Sequence, residues 1–300
     1  MSGRDPEYLA FAQALDAAVR SAPPETIEQQ RAGHLAHHLS LPRPFVAEVR
    51  ELQTDGGQAR LYHPAPGQLR PGFVFFHGGG FFLGGVEAYD PIVRVLVEAT
   101  GWAFVSVDYR LAPEHPFPAS VEDCLATTKS VLATADELGL SRVGVAGDSS
   151  GANLAAVVAH RLRAPMLAAQ LLVYGVYDLV AEPELPVDPD GLALTGGDWD
   201  GLVDRYLGTV DRHHPDASPQ RAGDFRGLPP AVVVTAEYDN LRPQGRVYAD
   251  TLAAAGVPTV YIPGTGLDHA FLAWGSFASQ PREAIAEIAS ALTQLTGEPR

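Results

Sequence analysis

The chain has 300 residues, of which 46 % are hydrophobic and 19 % are charged, and its formal net charge is −15 at pH 7. This length suffices for one large domain with its own core, and the composition is that of an ordinary globular protein. The acidic balance, without any cluster of Lys and Arg, disfavours nucleic acid and anionic membrane surfaces as partners.

The sequence also favours a cytoplasmic protein. Residues 1–20 lack the apolar core and the cleavage site of a signal peptide. No uninterrupted apolar run reaches the length of about 18 residues that would predict a membrane span. Cys124 is the one cysteine, which excludes an intrachain disulfide, and its helical surroundings predict a buried structural thiol.

Short β-rich runs alternate with helical runs along most of the chain. Continuous apolar stretches such as 171–173 and 232–234 are typical of strands covered on both faces. The alternation predicts a doubly wound α/β fold with a mostly parallel sheet and helices on both faces. The predicted strands span residues 45–52, 59–63, 73–76, 103–107, 142–146, 170–174, 231–235 and 259–262. The predicted helices span residues 90–99, 121–138, 153–163, 244–255 and 282–295.

Two regions interrupt this alternation. Residues 1–40 have a helical pattern before the first strand, and residues 180–226 are rich in Pro, Asp and Gly around a helical stretch at 199–207. We expect both regions to form helical cap elements over the carboxyl ends of the strands, where α/β sheets bind ligands. A decorated surface loop is the alternative for 180–226. Since no linker or internal repeat is present, we expect a single domain over 1–300.

The first chemical motif, His77-Gly78-Gly79-Gly80-Phe81, follows the predicted strand at 73–76. Residues without side chains allow backbone N–H groups to point at a carbonyl oxygen, as in an oxyanion hole of the HGGG type. We expect Gly79 and Gly80 to donate from this loop and the N–H of Ser150 to complete the hole. Which two glycines donate stays open.

The second motif, Gly147-Asp148-Ser149-Ser150-Gly151, lies between an apolar strand pattern and a helical pattern. In that context G-x-S-x-G predicts a tight strand-to-helix turn that exposes the hydroxyl of Ser149. Ser149 is therefore a candidate nucleophile, which requires a base, an acid that orients the base, and oxyanion donors. An ordinary turn is the alternative for the pentapeptide alone.

Two later loops supply an acid and a base in the chain order of the α/β-hydrolases. Asp239 follows the predicted strand at 231–235, and His269 lies on a loop after the predicted strand at 259–262. With Ser149, they would complete a Ser-His-Asp triad. Asp268 is the rival acid. Adjacent side chains diverge, so we expect Asp268 to be a solvated loop residue instead.

With these motifs, the sequence resembles the hormone-sensitive-lipase-like family of α/β-hydrolase esterases. The matching stretches lie within residues 73–275 and include 108–119, where we expect Arg110 and Glu114 to form buried polar links. The resemblance implies the α/β-hydrolase fold with an eight-stranded sheet. It also implies a serine carboxylesterase that cleaves short- to medium-chain esters through an acyl-enzyme. Such an enzyme uses a small-molecule substrate and neither a metal nor an organic cofactor.

Two other functions stay open. An amidase or deacetylase would use the same triad, and a small-ligand receptor would use the same fold without catalysis. Some receptor relatives have lost the histidine, whereas His269 is present here. A homodimer through the last strand or helix is also open.

Several other side chains are candidates for binding roles. His34, His37 and His38 have helical spacing that could hold a metal ion, but no Cys or carboxylate completes the set nearby, so we favour a partly exposed cap helix. Five aromatic residues could line a pocket or pack in the core. These are Phe81, Phe82, Tyr174, Trp199 and Tyr206.

Overall fold

The fold is described from a computed structural model, which covers residues 3–21, 26–180, 182–183, 186–192 and 198–297. Its strands are β1 (Glu48–Thr54), β2 (Gly57–His63), β3 (Arg70–Phe76), β4 (Ala103–Val107), β5 (Leu140–Asp148), β6 (Gln170–Val173), β7 (Ala231–Val234) and β8 (Thr259–Ile262). They form one sheet in the order β1-β2-β4-β3-β5-β6-β7-β8. Strand β2 is antiparallel to both of its neighbours, and all other pairs are parallel.

In the described part of the chain, two helices come before the first strand, five lie between strands in sequence and one follows the last strand. They are α1 (Pro6–Ser21), α2 (Ile27–Leu39), α3 (Val86–Thr100), α4 (Ala119–Ala133), α5 (Ser150–Leu162), α6 (Trp199–Leu207), α7 (Arg242–Ala254) and α8 (Ser279–Thr296). The α/β fold predicted from the alternation of strands and helices is confirmed. None of the described helices is long and apolar enough to cross a bilayer.

Alternating side chains of the central strands bury two separate cores. In β3, Phe73 and Phe75 point into the cluster that contains α3 and α8. Val74 and Phe76 point into the cluster that contains α4, α5 and α7. A period of two places successive side chains on opposite faces of a sheet, so an uninterrupted apolar strand requires helices on both sides. Cys124 lies in the second cluster, buried as predicted.

Each predicted strand overlaps one observed strand, but several boundaries were wrong. Strand β1 begins at Glu48 and ends at Thr54, later than the predicted 45–52, because Thr54 pairs with Gly57 across a two-residue Asp-Gly connection. Such a connection determines where both strands of a hairpin end. Strand β6 ends before Tyr174, whose φ of 37° departs from an extended backbone.

The predicted helix boundaries need similar corrections. Helix α3 begins at Val86 rather than at 90, since its buried face already includes Val86 and Ala88. Helix α4 ends at Ala133 rather than at 138, and hydrogen-bonded turns lead from there to Gly139, whose φ is +73°. The helical stretch predicted at 199–207 is confirmed as α6, and its N-terminus is capped by the side chain of Asp198.

We expect Gly151→Ala to destabilise the fold strongly. A Cβ at Gly151, in the first turn of α5, would overlap the backbone carbonyl of Phe76 at the end of β3. Backbone atoms cannot rotate away, so the free energy of unfolding should fall by at least roughly 2 kcal/mol in a urea titration. The matched control is Gly33→Ala in the exposed part of α2, where a Cβ meets nothing within 4 Å. This control should gain roughly 0.5–1 kcal/mol. Equal effects of the two substitutions would contradict the packing argument.

Candidate active site

Ser149 occupies a strained turn between β5 and α5. Its φ of 51° and ψ of −120° lie in a region that non-glycine residues rarely adopt. The turn is tight enough that a Cβ at Gly147 would overlap the carbonyl of Gly151. The two glycines of the motif therefore permit the close backbone contacts, and the side chain of Ser149 lines a cavity at the carboxyl edge of the sheet.

Two hydrogen-bond contacts connect the three residues of the predicted triad, with His269 between Ser149 and Asp239. His269 Nε2 is 3.0 Å from Ser149 Oγ, and His269 Nδ1 is 2.8 Å from Asp239 Oδ2. Asp239 is buried, and its other oxygen accepts a hydrogen bond from the N–H of Leu241 at 2.9 Å. With Nδ1–H donated to the carboxylate, Nε2 has a free lone pair that can accept the serine proton.

Three carboxylates act on the imidazole of His269. Burial by itself would lower the pKa of His269, but the charge and hydrogen bond of Asp239 outweigh it, and Asp148 and Asp268 add to the effect. The pKa of His269 is therefore raised above its ordinary value. The cationic imidazolium that proton transfer from a serine would produce is stabilised in the same way.

Two residues of the glycine loop line the cavity, and their N–H groups have no acceptor among the described residues. Gly79 and Gly80 have φ values of +113° and +61° and line the cavity beside Ser149. Among the described residues, none accepts a hydrogen bond from either N–H. The N–H of Gly78 instead donates to Asp148 Oδ1 at 2.7 Å. The N–H of Phe81 donates to Ser150 Oγ at 3.2 Å, which ties the loop to the start of α5.

Asp148 is a functional candidate that the sequence reasoning missed. It is buried and accepts hydrogen bonds from the Gly78 N–H and, at 3.3 Å each, from the hydroxyls of Tyr89 and Tyr174. Burial raises the pKa of Asp148 to about 6, although these donors and His269 oppose the rise. The only signal in the sequence is an acidic residue directly before the candidate nucleophile, at a position where a strand end must be buried.

The expectation that Asp268 is a solvated loop residue was wrong. Its carboxylate is buried and forms a two-pronged contact with the guanidinium of Arg4, in which Arg4 Nε lies 2.9 Å from Oδ2. The imidazole of His269 hydrogen-bonds Asp239 instead. Adjacent side chains do diverge here, but Asp268 points to a buried partner instead of to solvent.

The expected links at Arg110 and Glu114 exist, but neither is buried. Arg110 pairs with Asp123 at 2.7 Å, and the Arg110 side chain is 46 % exposed. Glu114 pairs with Arg31 of helix α2 at 2.8 Å and is 51 % exposed. Long side chains let both pairs form at the surface, where ion pairs stabilise a fold only weakly.

A cavity of about 530 Å³ opens above Ser149. Of the five aromatic candidates, Phe82, Tyr174 and Trp199 line it. Phe81 and Tyr206 stack on each other in the core, with ring centroids 3.7 Å apart. Residues of α1, α2 and α6 complete the walls, so both regions that interrupt the β–α alternation contribute to the cavity.

The three histidines of α2 form part of that wall. His34 and His38 lie with ring centroids 4.0 Å apart, and His38 stacks on Tyr89. His38 is buried and its Nδ1 contacts the carbonyl of His34. In the described ranges, no group of three or more His, Cys, Asp and Glu has an arrangement that could hold a metal ion.

A mostly parallel sheet with Ser, Asp and His at its carboxyl edge defines an α/β-hydrolase. A family model described as alpha/beta hydrolase fold matches residues 73–273. The esterase LipI of Mycobacterium tuberculosis is 38 % identical over 263 residues, which cover 81 % of this chain and 82 % of that protein. The arylesterase of Saccharolobus solfataricus is 35 % identical over 244 residues, covering 78 % of this chain and 80 % of that protein.

Among solved structures, esterases are also similar to this chain. The hyperthermophilic esterase from the archaeon Pyrobaculum calidifontis is similar with a TM-score of 0.86 and 36 % identity, covering 98 % of this chain and 99 % of that chain. The chain therefore belongs to the α/β-hydrolase family, and its resemblance to the hormone-sensitive-lipase-like esterases is confirmed.

We expect Asp148→Asn to move the acid limb of the pH profile of kcat/KM to lower pH. As the predicted general base, His269 must be neutral, so we expect activity to fall as the pH drops through the pKa of His269. Asp148 has a pKa of about 6 and is therefore mostly ionised at pH 7, where its charge raises the pKa of His269. Asparagine keeps an acceptor for Gly78 but removes that charge. The exposed Asp211→Asn is the control, and a limb that stays fixed in both variants would contradict the assignment.

Proposed function

We propose that this chain is a serine carboxylesterase that hydrolyses short- to medium-chain acyl esters. Ser149 would be the nucleophile, His269 the general base and Asp239 the residue that orients the base. The observation that supports this proposal best is the continuous contact from Ser149 Oγ through His269 to Asp239 at the floor of the cavity. Relatives of this chain that are named esterases support the choice of reaction.

In the proposed mechanism, Ser149 Oγ attacks the ester carbonyl while His269 Nε2 takes up its proton. The N–H groups of Gly79, Gly80 and Ser150 stabilise the oxyanion, and loss of one such donor costs roughly 3–4 kcal/mol in comparable enzymes. The imidazolium then gives its proton to the departing alcohol, which leaves an acyl-enzyme. Water activated by His269 hydrolyses the acyl-enzyme and restores Ser149. No step requires a metal or an organic cofactor.

The alternatives receive less support. A receptor without catalysis does not need the hydrogen bonds between Ser149, His269 and Asp239, whereas this chain has both of them. An amidase or deacetylase would use the same groups, but the relatives compared above are named esterases. We therefore rank ester hydrolysis first.

The walls of the cavity favour an uncharged substrate. Among its described lining residues there is no Lys or Arg, while Asp148, Glu182 and Asp198 are acidic. Burial lowers the pKa of His34 to about 3 and the pKa of His38 to about 4, so both imidazoles are neutral at pH 7. Among the described residues that line the cavity, an anionic substrate would therefore find no lysine or arginine to offset its desolvation. We propose small neutral esters as substrates, with α1, α2 and α6 acting as the cap.

The location and assembly of the protein stay predictions. The sequence favours the cytoplasm, and the homodimer that it leaves open would use the last strand or helix. Strand β8 is at an edge of the sheet and so has one row of backbone groups available for pairing. Light scattering of the purified chain would measure its mass.

Ser149→Ala should abolish the hydrolysis of p-nitrophenyl butyrate and leave the fold intact, because only the attacking oxygen is removed. Asp239→Asn should lower kcat by about 10⁴-fold, since the wrong imidazole tautomer is then favoured. Steady-state rates together with circular dichroism would measure both effects. Near-normal turnover in Ser149→Ala would reject the nucleophile. A larger loss in Asp268→Asn than in Asp239→Asn would reject the choice of acid.

The charge of the substrate should affect kcat/KM strongly. We expect p-nitrophenyl butyrate to be hydrolysed at least about tenfold faster than the mono-p-nitrophenyl ester of succinic acid, which has a carboxylate at the end of a chain of similar length. That ratio corresponds to roughly 1.4 kcal/mol of lost binding in the transition state. The ratio should shrink at high salt, where the repulsion by surrounding carboxylates is screened. Equal rates on the two esters would contradict the proposed selectivity.

A further inference from the structure

Arg4 is a buried cation that touches three carboxylates. Its side chain has no exposed surface, and its guanidinium contacts Asp268, Asp188 and Asp190. Two of these contacts are two-pronged, because Asp268 receives Nε and one terminal nitrogen while Asp188 receives both terminal nitrogens. The planar fork of arginine can make such a set of contacts, and the ammonium of lysine cannot.

These contacts lie directly beside the triad. Tyr238 and Asp268 are paired in a parallel β-bridge, and each precedes a triad residue, Asp239 in one case and His269 in the other. The Arg4 guanidinium lies over the Tyr238 ring, 3.9 Å from its centroid. Arg4 therefore contacts both of the segments that bring the acid and the base together.

Residues next to Arg4 in the chain contact the same two segments, at Tyr238 and Asp268. We call residues 3–8 the N-terminal arm. The N–H of Gly3 donates to the Tyr238 hydroxyl at 2.9 Å, and the N–H of Asp268 donates to the Tyr8 hydroxyl at 3.1 Å. On the histidine loop, Gly266 has a φ of +72°, and a Cβ there would overlap the carbonyl of Gly3. The missing side chain of Gly266 therefore makes room for the N-terminal arm beside the loop that carries His269.

The other two carboxylates connect the arm to a segment that is close in sequence to the cavity wall. Asp188 and Asp190 belong to segment 186–192, which does not itself line the cavity. This segment follows Glu182 and Pro183 in the chain, and Glu182 and Pro183 line the cavity. A guanidinium removed from this cluster would leave three carboxylates without their common cation, which is costly at a buried site. One side chain therefore joins segment 186–192 to the segments that carry Asp239 and His269.

We propose that Arg4 is a positioning residue of the active site. It holds the His269 loop against the Asp239 segment through Asp268 and Tyr238, and it holds segment 186–192 to these two segments through Asp188 and Asp190. This inference rests on the proposed function, because it assumes that Asp239 and His269 act on Ser149.

The first test is Arg4→Met, with turnover counted per active site. A p-nitrophenyl alkylphosphonate, allowed to react to completion, titrates the competent serines, and its rate of reaction reports how well His269 activates Ser149. We expect the turnover of p-nitrophenyl butyrate per titrated site to fall on the order of 100-fold, since small misplacements of catalytic groups cost that much. The phosphonylation rate should fall in parallel, and Arg4→Lys should recover only part of the loss.

The matched control is Arg60→Met. Arg60 also faces three carboxylates, Glu51, Glu87 and Asp90, but it lies on β2 and does not line the cavity. We expect this variant to lose stability and to keep its turnover per titrated site within about twofold. If Arg4→Met merely has fewer titratable sites with normal turnover at each, Arg4 has only a structural role and the inference is overturned.

Two further variants test the carboxylates around Arg4 and leave Arg4 itself unchanged. The double variant Asp188→Ala/Asp190→Ala should raise KM at least about fivefold and change kcat on p-nitrophenyl acetate less than about threefold. Asp268→Ala should instead lower kcat. The same change of kcat and KM in both variants would overturn the inference even if Arg4→Met does not fold. These results differ from a failure of the proposed function, in which the wild-type chain itself would hydrolyse no ester.

Discussion

The close approach of α5 to the carboxyl end of β3 is the constraint on which the active site depends. Gly151 admits the backbone of Phe76 at a distance that leaves no room for a Cβ. Because β3 and β5 are neighbours with Phe76 opposite Gly147, the glycine loop and Ser149 leave the sheet at the same level. The strained backbone of Ser149 is held between two regular elements. Strain of this kind persists only when the surrounding packing determines it.

Charge around His269 is arranged for the cationic state of the imidazole. Asp239, Asp148 and Asp268 all favour the protonated ring, against the effect of its own burial. Each carboxylate has donors of its own that keep its position: the N–H of Leu241 for Asp239, the N–H of Gly78 for Asp148 and the guanidinium of Arg4 for Asp268. In the proposed mechanism, a charge that develops on the imidazole would therefore be stabilised by groups that are already oriented, which is the form of electrostatic catalysis that requires little reorganisation.

What the sequence could and could not predict follows from the range of the interactions. Apolar runs predicted the sheet because a strand covered on both faces has a local signature, and the G-x-S-x-G and His-Gly-Gly-Gly motifs predicted the nearness of Ser149 to the glycine loop. The partner of Asp268 was missed because Arg4 is 264 residues away in the chain, and no local pattern distinguishes a buried arginine from a solvated one. The boundaries of α3 and α4 were missed because tertiary burial and turns determine them.

The proposed triad and the walls of the cavity are held in place by different kinds of interaction. Ser149 and Asp239 follow strands whose ladders of backbone hydrogen bonds are independent of side-chain identity. The cavity wall contributed by α2 is connected through side chains instead, through the exposed pair of Arg31 and Glu114, and segment 186–192 is connected through the Arg4 cluster. A change of side chain can therefore alter the walls, and with them the choice of substrate, without disturbing the sheet. Arg4 is the exception, since it contacts the segments that carry Asp239 and His269 as well as segment 186–192, and we expect a substitution there to affect all three.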